Sequence, residues 1–491
     1  MTAAGTEQDL PRRRTSPRIV LVHAVTFRQA RQFVPLVLPI GAAMGFDGGT
    51  AAVVGLVVAV TLASLAAAAL SWWRFTYVDG PTAVVVTRGL LARSVRTVPN
   101  DRIRGVEVEA PALHRLFGLV RVRIDAAAGA PGGQEELVVD GVSRAEGDRL
   151  RARLLSRRPE PSTAEPEVAE EAPAEQELAR FDPRWLLYAP LVGSYLAVPL
   201  AAVSALFRLA EELPRDLRPD VEGPDLGDGR VLVLAAVVGL VLLAAGAVLG
   251  AVLVNWGFRL VRRGGSLIAD RGLVTRRHTE LEVDRIRGCT VTEGLGMRWV
   301  GAARATALVT GLGDAARRGQ VLPLGPHAQA WALATLLVDD PGSLVRHPPA
   351  ARRRRILRAV GAGLAVTAAG VLATVTLGWW ELLVAGGVLT VLGVPLGLGR
   401  YAALGHRAGP RSFAVRSGWL VREHALLQRR AVVGWQVQQS LFQRRAGLAT
   451  VVACVGAGAG GYAAVDMAAD EVAGFTAAAS AGSWAATLAP R

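Results

Sequence analysis

The chain has 491 residues, 51% of them hydrophobic, and its mean hydropathy is +0.34 with the apolar residues gathered in blocks. Only 20% are charged, yet the net charge is +14, and all 55 basic residues are arginine. That balance excludes an ordinary soluble enzyme and a disordered chain, and leaves an integral membrane protein.

In chain order, residues 1–31 form a basic leader, with Arg12, Arg13, Arg14, Arg18, Arg28 and Arg31 against Glu7 and Asp9. No secretory signal peptide is read in it, because no short apolar region with a cleavage site appears. A first hairpin of spans is expected over 32–73: a short segment 33–46, the turn Asp47-Gly48-Gly49, and a full segment 50–73. A polar block, 74–158, then alternates apolar and polar residues at 83–87, 95–98, 103–108, 120–124 and 137–139, the period of half-buried strands. Ser143 with Glu146 reads as a capping box opening a helix that buries Leu150, Leu154 and Leu155. Residues 159–184 form an acidic Pro/Ala/Glu-rich linker, disordered over 159–177 because it has too little apolar surface to fold.

A second hairpin, 185–254, comprises spans 185–207 and 231–254, joined by an acidic connection. The second polar block, 255–348, carries strand patterns at 283–291, 305–309 and 321–324 and a helix near 327–338. A basic juncture, 349–356, holds Arg352, Arg353, Arg354 and Arg355, and a third hairpin, 357–399, follows, with Glu381 at its break. The last block is 400–491. Trp72, Trp73, Trp185, Trp256, Trp379 and Trp380 mark span ends, as in interfacial belts. The arginines precede the first and fifth spans while acids fill the connection between the third and fourth. The positive-inside rule therefore puts both termini and all three polar blocks in the cytoplasm, on a multi-pass bacterial plasma-membrane protein. The abundance of Ala, Gly and Val together with arginine reads as the bias of a GC-rich bacterial genome, so a pI of 11.1 argues only weakly for nucleic acid, and no nucleic-acid partner is expected.

The three polar blocks repeat. Each has Gly, two apolar residues, one variable residue, then Arg: Gly89 to Arg93, Gly272 to Arg276, Gly418 to Arg422. Fourteen residues after the first Gly stands Ile103, Ile286 or Val432, two further on Gly105, Gly288 or Gly434, and later Gly118, Gly301 or Gly447. Such gap-free agreement in three copies makes triplication the strongest internal signal. Gly89, Gly272 and Gly418 are expected at hairpin turns with positive φ, and Gly118, Gly301 and Gly447 at further structural turns. Each copy reads as a small antiparallel barrel capped by a C-terminal helix. The fold class is therefore mixed: three two-helix transmembrane hairpins alternating with three cytoplasmic α+β units.

The arrangement resembles the bacterial pleckstrin-homology (PH-like) membrane proteins of the YdbS/YdbT type, in their three-domain form. The resemblance rests on Trp73-Arg74-Phe75, Arg88-Gly89-Leu90-Leu91, Asp101-Arg102-Ile103 and Leu116-Phe117-Gly118-Leu119 in copy one. Arg271-Gly272-Leu273-Val274, Asp284-Arg285-Ile286 and Gly301 carry it in copy two. Copy three is degenerate, with Ser417-Gly418-Trp419 and Arg430-Ala431-Val432, but keeps Arg444-Arg445-Ala446-Gly447-Leu448. The resemblance implies PH-like folds at the cytoplasmic membrane face, and no catalytic residues.

Gly456-Ala457-Gly458-Ala459-Gly460-Gly461 fits a dinucleotide fingerprint, but it falls at a hairpin turn of the repeat with no βαβ unit around it, so it reads as a turn. The seven histidines show no ligand spacing. Cys289 and Cys454 sit in β-like runs as small hydrophobes. No catalytic, cofactor or metal site is expected, and no enzyme. The expected role is a non-enzymatic scaffold or interaction module in envelope maintenance or stress response, in contact with the lipid bilayer, with anionic headgroups and with a membrane protein partner. Arg93, Arg276, Arg422 and Arg352 to Arg355 are the candidate contacts. The alternative is a transport or channel component whose hairpins form a bundle gated by the PH-like units; the near absence of ionisable residues inside the spans counts against it.

Overall fold

Strand-period sequence dominates each polar block, and strands are what form there. The structure, a computed structural model, describes residues 12–25, 61–62, 65–88, 94–100, 103–126, 136–156, 175–212, 229–310 and 318–481. The chain divides into two compact units, residues 1–176 with 256–280 and residues 177–255 with 281–491, so the division falls inside the second copy.

The first unit begins with helix α1 (Ile19–Val25) and the strands β1 (Thr76–Asp79), β2 (Ala83–Arg88) and β3 (Ser94–Pro99), an antiparallel sheet ordered β1-β2-β3. Next come β4 (Ile103–Ala110), helix α2 (Ala112–Leu116), β5 (Leu119–Ala126), β6 (Glu136–Ser143) and helix α3 (Arg144–Ser156). The two sheets of copy one bury a common core of Tyr77, Val84, Val86, Val106, Val122, Ile124 and Val139, closed by Leu150 and Leu154 of α3. The Ser143 hydroxyl accepts the Glu146 amide at 3.3 Å, half of the expected capping box; the Glu146 carboxylate turns instead to Tyr77, Arg13 and Arg149. Residues of the basic leader are built into this unit. Arg13 bridges β1 at Tyr77, Trp72 donates to the Thr15 carbonyl, and Ile19 and Val22 pack on Leu119.

Two expectations fail at the linker and the third span. The segment taken as disordered ends in a strand, β7 (Glu175–Arg180), where Glu175 accepts from Arg263. Pairing with the edge strand at Arg259–Arg263 and burial of Ala179 seat this strand, with the exposed ion pair at its start. Residues 185–207 are not one straight span: a 3-10 helix (Pro183–Leu191) meets helix α4 (Gly193–Glu212) at a 73° bend. Asp182 caps the first piece by accepting the Arg184 amide, Pro190 ends it, and Trp185 is buried rather than interfacial.

Helix α5 (Gly229–Asn255) is followed by β8 (Arg259–Arg263), β9 (Ser266–Arg271) and β10 (Arg276–Glu282), the first sheet of copy two. Edge strand β10 pairs antiparallel with β4 of copy one, so one sheet runs β6-β5-β4-β10-β9-β8 across two copies, with β7 at its margin. The separate barrels expected from the sequence are therefore not what forms: each copy's second sheet is continued by the first sheet of the next.

The same happens in the second unit. Strand β11 (Ile286–Gly294), helix α6 (Leu295–Trp299), β12 (Ala302–Val309), β13 (Gln320–Pro326) and helix α7 (His327–Val338) complete copy two. Helices α8 (Pro349–Leu377) and α9 (Trp380–Ala402) lead into β14 (Gly405–Ala408), β15 (Ser412–Ser417) and β16 (Val421–Gln428), and β16 pairs with β11. Strand β17 (Val432–Gln438), helix α10 (Leu441–Arg445), β18 (Leu448–Val455), β19 (Gly461–Ala468) and helix α11 (Glu471–Ala478) end copy three. Its core joins Phe413, Val415 and Leu427 to Val451, Ala453, Tyr462, Met467 and Phe475. The dinucleotide-like glycines are the β18–β19 turn, with Gly458 and Gly460 at positive φ.

Among the described residues α5, α8 and α9 are long and apolar enough to cross a membrane, and the bent pair before them makes a fourth candidate. Most of the first expected hairpin, residues 26–60, lies outside the described residues. Helices α8 and α9 touch backbone to backbone: a Cβ on Gly370 would stand 2.5 Å from Leu383 and one on Gly386 2.5 Å from Thr367, so only glycine allows this approach.

Candidate juxtamembrane site

The turn glycines set the geometry. Gly272 and Gly418 have φ of 106° and 85°, and in both a Cβ would fall 2.0 Å from the carbonyl oxygen three residues on, Thr275 or Val421. Gly118, Gly301 and Gly447, each closing the short helix α2, α6 or α10, have φ of 68°, 64° and 62°. Five of six repeat glycines thus share their local roles; Gly89 lies outside the described residues, as does Arg93.

Both described turns abut the end of a candidate span. The Gly272 amide donates to the Trp256 carbonyl at 2.9 Å, and Trp256 directly follows the last residue of α5. A Cβ on Gly399, near the end of α9, would meet the Trp419 indole at 2.2 Å. The turns hold exposed apolar residues there, Leu273 and Val274 in copy two and Leu420 and Val421 in copy three. An arginine three residues before the short-helix glycine clamps each turn: Arg115 donates to the Leu273 carbonyl at 2.8 Å and Arg298 to the Trp419 carbonyl at 2.7 Å.

Around the copy-two turn lies a cleft of about 920 Å³, lined by Arg115, Arg144, Arg271, Arg276, Trp256 and Leu273 among others. Much of its charge is paired. His278 bonds Asp270, whose carboxyl is pushed up by burial but held lower overall by His278, and Arg151 reaches Glu280. Arg277 lies 3.5 Å from Glu109. Arg144 and Arg276 are exposed and, among the described residues, have no ion pair.

The corresponding place in the second unit is lined differently at three positions. Opposite Arg276 in the β4–β10 register stands Ala110; opposite Arg422 in the β11–β16 register stands Glu293, 3.8 Å away. Helix α3 starts with Arg144 and carries Asp148, whereas α7 starts with His327 and carries Trp331. His327 reaches Glu293 at 3.2 Å and stacks on Trp331, which meets His424 edge-on. Burial, with Arg416 and Arg422 beside it, pushes His424 down to about 3, so it is neutral; Arg422 is itself pushed down by burial and by Arg298.

The candidate arginines therefore separate. Arg276 faces open space in a basic cleft, while Arg422 is half-buried on a carboxylate. Arg352 and Arg353 are exposed, but Arg354 and Arg355 turn onto Asp466, a carboxylate fully buried in copy three. Arg144 and Trp256, which complete the cleft, were not singled out as contacts from the sequence. In sequence Trp256 has only the signature of an interfacial belt, and Arg144 joins the cleft only because helix α3 starts opposite the turn. No group of three His, Cys, Asp or Glu residues able to hold a metal ion occurs among the described residues.

Paired sheets, a capping helix and recurrent turn glycines, set beside apolar helices in three copies, define a membrane-anchored array of PH-like units, and the chain belongs to the bacterial PH domain family, which matches residues 32–158, 205–339 and 356–476. Among curated proteins it is similar to the UPF0699 transmembrane protein YdbT of Bacillus subtilis (strain 168), 24% identical over 265 residues. That match takes in 51% of this chain and 52% of the relative, so the chain spans about half the length of the curated relative it matches. No solved structure matches it.

Proposed function

We propose that this protein is a non-enzymatic scaffold, anchored in the plasma membrane by six spans in three hairpins with both termini cytoplasmic, whose PH-like units rest on the anionic inner leaflet. The domain limits are those read from the sequence, with β7 lying in the 159–184 segment. The observation carrying the reading is the copy-two cleft. Its Trp256 follows directly on a span, its turn presents Leu273 and Val274, and its unpaired cations Arg144 and Arg276 face outward. An apolar pair flanked by free arginines suits the boundary between acyl chains and anionic headgroups, where each cation contributes about 1 kcal/mol.

The test places a polarity-sensitive fluorophore on Leu273→Cys of the full chain, in a background carrying Cys289→Ala and Cys454→Ala. The protein is reconstituted in nanodiscs of phosphatidylcholine with or without phosphatidylglycerol. The expected result is a blue-shifted emission with phosphatidylglycerol that high salt reverses and that Arg144→Gln with Arg276→Gln removes. Identical emission in both lipids would overturn headgroup contact and leave the turn as a protein-facing surface.

A further inference from the structure

The two junctions between copies use one register. In the first, Glu109 faces Arg277 and Val108 faces His278; in the second, Thr292 faces Glu423 and Val291 faces His424. Val108 and Val291 both stand three residues after the strand glycines Gly105 and Gly288, and His278 and His424 both stand six after the turn glycines. The arginine clamps Arg115 and Arg298 recur with them. A junction is thus a repeated device: the second sheet of one copy, with the arginine of its short helix, receives the first sheet of the next copy and its turn.

Three copies make two junctions and leave one half of the device at each end. At one end β3 is the outer strand of β1-β2-β3; at the other β17 is the outer strand of β17-β18-β19. No isolated bridge among the described residues reaches either. The register places Val437, three residues after Gly434, opposite Val95, six after Gly89, and Gln438 opposite Ser94. Both valines are exposed, at 52% and 51%, where a soluble edge strand ordinarily carries charge. Arg444, the third clamp arginine, is exposed and, among the described residues, its side chain has no hydrogen bond or ion pair.

From these edges we infer that the chain assembles head to tail with further copies of itself, β17 of one copy adding to β3 of the next with Arg444 reaching across the seam. The contact is heterologous, so it propagates as a row or closes as a ring. Membrane anchoring favours this arrangement, because all copies share one orientation and the added strand costs no inversion.

Disulfide trapping of the full chain in proteoliposomes tests this, with Cys289→Ala and Cys454→Ala as background. Val95→Cys and Val437→Cys are placed on separately tagged copies and oxidised together. A linked dimer is expected between the two kinds of copy and not within either kind, since directly opposed strand residues meet disulfide geometry. A chain carrying both substitutions should give a ladder of higher species. Arg444→Gln should remove the ladder while leaving an internal control, Val108→Cys with His278→Cys, fully closed. A closed control with no dimer in the mixture would overturn the inference, as would equal linking within one kind of copy, which marks a two-fold contact instead.

Discussion

Removing the Asp466 carboxylate should unfasten copy three from the root of the third hairpin. Asp466 is 0% exposed, has φ of 62°, and accepts from Arg354, from Arg355 at 2.8 Å and from Gln443 at 2.9 Å, while its carbonyl accepts from His347. Asp466→Ala leaves two guanidinium groups, 17% and 18% exposed, without their counter-charge. Breaking a buried pair from one side costs about 3–5 kcal/mol, and the left-handed backbone adds about 1 kcal/mol once the side chain no longer bonds locally. Since about 1.4 kcal/mol is tenfold, amide exchange in β17–β19, followed by mass spectrometry on the micelle-solubilised full chain, should accelerate by about three to four powers of ten. Asp466→Asn, which keeps the backbone preference and one bond, should fall well short of that. An acceleration below about tenfold for Asp466→Ala would refute the argument, showing that water or a rearranged partner takes over the arginines.

Lowering the pH should weaken copy three. His424 and His406 are held down to about 3 and about 4, mainly by burial, against about 6.5 in the unfolded chain, so stability is full above that value and lost as pH falls below it. The urea midpoint by near-ultraviolet circular dichroism should drop between about pH 7 and pH 5, and His424→Phe should flatten the drop. Gly418→Ala should destabilise more than Gly447→Ala, since the first meets a carbonyl at 2.0 Å as well as strain and the second meets only strain, about 1–2 kcal/mol; equal losses in the same titration would contradict the turn geometry. Gly386→Val should separate α8 from α9, read as loss of a disulfide engineered between Thr367→Cys and Thr390→Cys, whose hydroxyls lie 3.2 Å apart, whereas Gly387→Val, with nothing within 4 Å, should leave it intact.

Much of this fold was legible because period and spacing are local. The strands at 83–87 and 95–98 extend by only a residue or two at their ends, the helix at 327–338 forms over those residues, and the five described turn glycines mark equivalent turns. What escaped was non-local. Nothing in the alternation of β4 says that its open edge is taken by β10 rather than by its own copy, because a strand's side-chain period is the same whichever neighbour it has. The site was half legible for the same reason. Arg276 and Arg422 are equivalent in sequence, and only the residue across the ladder, Ala110 or Glu293, separates a free cation from a paired one. The strand at Glu175–Arg180 was hidden by composition, since an acidic segment reads as solvated until the edge of β8 is placed against it.

The shared sheets also bear on how the protein is made. When β4 leaves the ribosome its partner β10 does not yet exist, and it cannot be supplied until the intervening apolar helices have been synthesised and inserted. Strand β11 waits for β16 behind α8 and α9 in the same way. Each open edge is therefore a timed exposure during translation, and membrane insertion is the event that ends it. A delay at the translocon would leave β4 or β11 available to any passing strand, so the dominant lesion from a faulty span in this protein should be aggregation of the PH-like unit upstream of the fault.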